Sequence, residues 1–184
     1  MSELTGLFAR AGAGDAQALD RVFTLLYPEL EAMARSRLRR GQRVTMADTG
    51  ALVHESWLRL QHSGKLRFED RNHFLAHAAR VMRSVITDIA RRSQAERRGG
   101  DLAFVTLDTA IGDAVAAADP GVLEVSEALD ELAALDPRLA QVVEMRWFGG
   151  LEEADIAAAL GLTERTVRRD WAKARAFLVV ALKR

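Results

Sequence analysis

The side chains with the most definite chemistry lie near the carboxy-terminal end: Thr163, Arg165, Thr166, Arg168, Arg169 and Lys173. Their chemistry is recognition. Carboxylates are plentiful in the chain, but none form a paired acid–base arrangement. Guanidinium groups on one face of a short helix can enter the major groove, where a bidentate arginine–guanine contact contributes about 1–3 kcal/mol of discrimination. Lys173 and Arg175 lie further along, at places suited to phosphate contact or solvent.

Such a face needs a rigid mount, and the flanking residues supply a helix-turn-helix spacing. Ile156, Ala157 and Leu160 form the inner face of a first helix, and Gly161 permits a tight turn where a side chain would crowd the crossing. Leu162 plugs the corner. Thr163 is a natural N-cap, and Val167, Trp171, Ala174 and Leu178 form the inner face of the second helix. The bland alternative is a helical hairpin with a solvated charged face.

The rest of the chain is patterned for helices, with apolar residues at helical spacing and little strand-like alternation. Leu19, Val22, Phe23, Leu26, Leu30 and Met33 predict a helix over 14–40. Val53, Trp57 and Leu60 predict another over 49–62, with Asp48 as its N-cap and Gly64 at its end. Phe74, Ala78, Val81, Val85 and Ile89 predict a third over 71–97, stopped by Gly99 and Gly100. Residues 99–122 have no amphipathic pattern and read as a linker. Helices resume at 123–135 and 137–148, with Pro137 in a first-turn position, then at 152–160 and 164–182. The fold class is all-α: two helical domains, 1–98 and 123–184, joined by an acidic linker over 99–122.

The chain has 184 residues, with 26 Lys and Arg against 26 Asp and Glu. That zero net charge conceals an uneven distribution. Residues 1–100 carry a net +6, residues 101–136 a net −9, and residues 137–184 a net +3. Basic ends of this kind point to a polyanion partner. The absence of cysteine excludes disulfides, thiolate zinc sites and thiol catalysis. The amino terminus lacks a signal-peptide pattern, and the apolar stretch 176–182 is too short to span a bilayer. A soluble protein of the cytoplasm, with no membrane partner, is expected.

Residues 51–60 (Ala-Leu-Val-His-Glu-Ser-Trp-Leu-Arg-Leu) form a helix decorated on both faces. Residues 68–92 are basic with aromatic residues at the entrance. The stretches 51–60, 72–100 and 135–177, the last including Asp136-Pro-Arg, Val143-Glu-Met-Arg-Trp-Phe-Gly-Gly-Leu and Thr166-Val-Arg-Arg-Asp-Trp, resemble the sigma factors of RNA polymerase. The likeness is to the extracytoplasmic-function (ECF) group, which keeps only sigma domains two and four, and it covers nearly the whole chain.

The resemblance implies partners and roles. Core RNA polymerase would be bound through its largest-subunit clamp helices and its flap, with Asp48, Leu52, Glu55 and Arg59 at the clamp contact. Promoter DNA near minus ten would be held by the loop around 68–72 and the helix after it. Phe68 and Asn72 would pocket an unstacked base, and Arg80, Arg83, Arg91 and Arg92 would hold phosphates. The helix-turn-helix would read the element near minus thirty-five. No covalent chemistry, cofactor or metal is implied. ECF factors usually carry an acidic run just before the position of Leu52. Here residues 45–51 are Thr-Met-Ala-Asp-Thr-Gly-Ala, with Asp48 the only acid. One hypothesis is that a Ser/Thr kinase supplies the charge at Thr45 or Thr49, adding about −1.5 to −2. The other reading is that these threonines cap or pack the loop. Core binding of wild type and Thr→Ala chains, with and without kinase treatment, tests the first; equal tight binding in every sample would end it. An anti-sigma factor is a further open partner.

Other motifs carry less. His73 and His77 have a four-residue spacing but no third ligand. The Gly-rich 97–101 lacks a P-loop ending. Arg35, Arg37, Arg39, Arg40 and Arg43 read as a solvated helix end or a polyanion contact. The acids Asp101, Asp108, Asp113 and Asp119 would serve solubility, occupy an RNA path in the polymerase, or mask the basic domains. The rival function is a one-component or response-regulator-like helix-turn-helix regulator with an amino-terminal sensor domain, which would bind DNA alone and give no initiation with core polymerase.

Overall fold

A computed structural model describes residues 3–38, 46–62, 68–99 and 121–183. These residues form helices and short turns, with no strand among them. In chain order the helices are α1 (Glu3–Gly12), α2 (Ala16–Leu38), α3 (Met46–His62), α4 (Arg71–Gly99), α5 (Val122–Leu135), α6 (Pro137–Val143), α7 (Glu153–Leu160) and α8 (Glu164–Ala181). A π-helical turn, Glu144–Phe148, follows α6.

The predicted helices are present with small shifts. Three differences have physical reasons. Sequence periodicity did not predict α1, whose two glycines interrupt a short apolar stripe. Leu7, Phe8 and Ala11 are nevertheless buried. Phe8 meets Phe68 edge-on, with ring centroids 5.4 Å apart, and stacks on Phe74 at 5.7 Å, so tertiary packing holds the helix. Secondly, α3 starts at Met46, which places Asp48 in its first turn rather than at the cap. Thirdly, the helix expected over 137–148 is α-helical only to Val143. Beyond it the backbone widens: the Gly149 N–H bonds to the Glu144 carbonyl at 3.0 Å, and the Leu151 N–H to the Met145 carbonyl at 3.0 Å. Gly64, Gly100 and most of the 99–122 linker, including its four acids, lie outside the described residues.

Pro137 sits at the start of α6 as expected, and Asp136 caps that helix, accepting from the N–H groups of Arg138 and Leu139. The stripe Val22, Leu26, Leu30, Met33 and Leu38 makes α2 an inner helix, with α3 and α4 packed on it. The core does not divide at the linker. Buried residues of α1–α4 and of α5–α8 form one continuous hydrophobic cluster. Helix α4 makes the main contact, packing against α5, the π-helical turn and α7.

A close approach to α4 falls at Gly149. A Cβ there would lie 2.9 Å from the Ala79 Cβ and 2.6 Å from the Met145 carbonyl oxygen. Gly149→Ala is therefore predicted to destabilise the fold by about 1–3 kcal/mol, the usual cost of overpacking. Gly6 lies within α1 with nothing within 4 Å of its would-be Cβ. Gly6→Ala is predicted to stabilise by about 0.5–1 kcal/mol. Urea unfolding midpoints of the two variants should move in opposite directions.

Candidate nucleic-acid interface

The helix-turn-helix is α7 and α8. Gly161 adopts φ +64° at the C-cap of α7. Nothing lies within 4 Å of its would-be Cβ, so left-handed backbone requires glycine here and steric crowding does not. The Leu162 N–H bonds to the Ala157 carbonyl at 2.8 Å, closing the turn. Thr163 caps α8, its Oγ1 accepting from the Thr166 N–H at 3.3 Å and lying 3.0 Å from the Thr166 hydroxyl. Both hydroxyls thus serve the helix start. Ile156, Ala157, Val167 and Ala174 are buried between the helices, with Leu160, Leu162, Trp171 and Leu178 packed around them.

On the outer face of α8, Arg165, Arg168, Arg169 and Lys173 are all exposed. Sequence alone did not reveal that two acids organise this face from beneath. The Glu153 carboxylate accepts from Arg146 at 2.9 Å and from Arg168 at 2.9 Å. Hydrogen bonding to Arg146, then to Arg168, holds the Glu153 carboxyl below its ordinary range. Arg146 also lies over the Trp171 ring, 5.0 Å from its centroid. Asp170 is fully buried beside Arg138, 2.8 Å from its Nε, and ties α8 to the start of α6.

The α4 face is different. Arg80, Arg91 and Arg92 are exposed, but Arg83 is only 8% exposed. Its guanidinium donates to the Glu144 carboxylate at 2.7 Å, the Asp130 carboxylate at 2.6 Å, and the Ser126 carbonyl at 2.6 Å. Arg80 Nε lies 3.5 Å from the second Glu144 oxygen. Asn72 is half-buried at the start of α4 and accepts from Arg71. Phe68 is buried, its ring enclosed by Phe8, Phe74, His73 and His77. It packs the loop, and its remaining edge lines a cavity of about 340 Å³ together with Phe8 and Glu69.

In α3, Leu52 is fully buried and Asp48 is 7% exposed. Glu55 and Arg59 reach the surface, and Arg59 donates to Asp88 at 2.6 Å and Ser84 at 2.8 Å, tying α3 to α4. Leu52 therefore orients the helix on which Glu55 and Arg59 sit. Thr49 is 3% exposed, beyond the reach of a kinase in this conformation, and Thr45 lies outside the described residues. Arg37, read from sequence as part of a solvated helix end or a polyanion contact, is instead buried over Trp147, 4.3 Å from the ring centroid. Arg35 pairs with Glu31, while Arg39, Arg40 and Arg43 lie outside the described residues. Among the described residues no group of three or more His, Asp and Glu is placed to hold a metal ion. No helix among them is long and apolar enough to cross a membrane.

An all-helical chain that mounts an arginine face on a capped helix-turn-helix is of the DNA-binding class. The family model described as ECF sigma factor matches residues 1–184, and the chain belongs to that family. It is thus an alternative sigma factor of transcription initiation, in a family of non-enzymatic transcription factors. No curated protein and no solved structure matches the chain.

Glu153→Gln is predicted to free Arg168 and remove a negative charge from under α8. Non-specific duplex binding should tighten, while the ratio of specific to non-specific affinity falls about tenfold, within the range of one bidentate contact. Fluorescence anisotropy with specific and scrambled duplexes checks this. Because the folded-state pKa of Glu153 is depressed, its pairing is present above the ordinary carboxylate range and is lost as pH falls through the depressed value. In Glu153→Gln that acid-side change should disappear.

Proposed function

We propose that this chain binds core RNA polymerase, directs it to promoters by reading the element near minus thirty-five with α8, and promotes strand opening near minus ten with the loop before α4 and α4 itself. The observation that carries the reading is the exposed face of Arg165, Arg168, Arg169 and Lys173 on a helix fixed by the Thr163 cap and the left-handed Gly161. Base contacts would come from Arg165, Arg168 and Arg169, near the helix start. Lys173 is placed for phosphate.

Helix α3 is the proposed clamp-helix contact, through Glu55 and Arg59 with Asp48 at its first turn. Its surface is only weakly acidic, and this supports a need for extra charge or a helper at this contact. A kinase acting at Thr45 fits that need better than one acting at the buried Thr49. On α4, Arg80, Arg91 and Arg92 would contact phosphates directly. Arg83 would join them, and Phe68 and Asn72 would hold a base, after local rearrangement.

The test is run-off transcription from a pool of fragments of the source genome, with the purified chain and core polymerase. Initiation at a discrete set of sites is expected, with none from core alone. DNA binding by the chain without any initiation would favour a conventional regulator. Arg169→Ala should weaken initiation at those sites by about 1–3 kcal/mol, roughly 5- to 150-fold, and relax the sequence at one position. Lys173→Ala should weaken binding evenly across sequences and reduce the salt slope by about one.

A further inference from the structure

We propose that Asp170 is a positioning residue for sequence reading: from inside the fold, its carboxylate holds Arg169 in the orientation in which α8 reads one base pair. The proposal rests on the reading that α8 recognises promoter DNA. It adds which arginine of the reading face is held by a buried charge before DNA arrives.

Asp170 falls at the edge of the inner face of α8. It is fully buried, with Val167 and Ala174 buried about one turn before and after it. Thr166, four residues earlier, is half-buried, and Lys173, three residues later, is exposed. The side of the helix that carries Asp170 therefore borders the reading face. Both carboxylate oxygens are buried and accept no hydrogen bond among the described residues. Their compensation is charge. The Arg138 Nε lies 2.8 Å from Oδ2, and the Arg169 Nε lies 3.7 Å from Oδ1. Water does not screen a buried carboxylate, so a cation at that range is strongly constrained by it.

The arrangement is directional. Each guanidinium approaches the acid with its Nε, and the Nη nitrogens of both make no hydrogen bond among the described residues. On Arg169, whose side chain is 62% exposed, those nitrogens are left for a paired acceptor such as guanine O6 and N7. A side chain already held gives up less freedom on contact than one that is free to rotate.

The three arginines of the reading face are thus held on different terms. Arg168 donates to Glu153, an acid that solvent still reaches. Arg169 faces a charge that solvent does not reach. Arg165 has neither an ion pair nor a side-chain hydrogen bond among the described residues. Salt screens the exposed pairing more than the buried one.

The test uses the full chain with Asp170→Asn, which keeps the shape and removes the charge. Arg138 and Arg169 are both substantially exposed, so the change strands no buried cation. The probe is the minus-thirty-five region of a start site found by run-off transcription, as a duplex and as the set of its single base-pair substitutions. Competition anisotropy gives the discrimination at each position, and Arg169→Ala marks the position that Arg169 reads. Asp170→Asn should lower discrimination at that position at least about threefold and change every other position by less than about twofold. The double variant should be no worse there than Arg169→Ala alone, because the two residues act through one contact. Arg138→Lys, which keeps the acid paired, should retain the preference at every position.

An even loss across all positions means that Asp170 only ties two helices together, and it overturns the proposal. So does retained discrimination at the Arg169 position. If Asp170→Asn lacks wild-type helical content by circular dichroism, Arg138→Met replaces it and leaves Arg169 as the sole counter-charge. The same one-position loss is then expected, and an even loss has the same adverse meaning. A wild-type chain that distinguishes none of the duplexes sinks the reading of α8 and this proposal with it. A selective wild type with an equally selective Asp170→Asn sinks the positioning role alone.

Discussion

The structure depends on how one buried guanidinium is satisfied. Arg83 lies in the middle of α4, on the side that faces α5 and the π-helical turn. Taking a cation out of water costs several kcal/mol unless opposite charge and hydrogen bonds replace its hydration. The compensating groups all come from the second half of the chain, 43 to 61 residues away. Removing Glu144 alone would leave a buried charge uncompensated, a loss of about 3–5 kcal/mol in comparable pairs. By contrast, the more exposed Arg71–Asp155 pair at 3.5 Å contributes little. Among the ion pairs across the junction, the Arg83 site is the one that decides how the halves sit.

The same site explains much of the charge pattern. The acidic middle of the sequence is not only a linker property. Asp130 lies on α5, within the described structure, and is spent on a cation of the first segment. Glu144, from the otherwise basic third segment, does the same. Basic and acidic stretches that sum to zero therefore pair partly inside one molecule. The helix-turn-helix arginines are left largely outside that pairing, with Arg168 held to Glu153 within its own motif. The cations of α8 are open to solvent, whereas on α4 Arg83 is buried and Arg80, Arg91 and Arg92 are exposed, an asymmetry that net charge alone does not report.

Legibility in the sequence followed the range of the interactions. The helix-turn-helix was readable because its determinants are local: a left-handed glycine, a capping threonine two residues later, and an apolar stripe at helical spacing. Even there, the reason for Gly161 was misjudged, since backbone conformation and not crowding selects it. On α4, Arg80 and Arg83 look alike in sequence, and only packing against a distant segment separates an exposed cation from a buried one. Leu52 and Phe68 came from the family resemblance, whereas their burial depends on packing against distant elements, α1 in the case of Phe68. The acids Glu153 and Asp170 were missed for the same reason: their partners are set by the angle between helices. A signal existed for Glu153, because α7 begins with it and the first arginines of α8 must pass nearby.

A buried ion pair is weak evidence for stability, because its attraction roughly repays its desolvation. Arg83 and Glu144 exchange hydration for each other, so the polar part of the contact is close to balanced. The apolar contact of Ala79 on Gly149 and the cation–π contact of Arg37 over Trp147 then carry more of the attachment between the halves. What the Arg83 site adds is register, since its donors are met only when α5 and the π-helical turn lie against one stretch of α4.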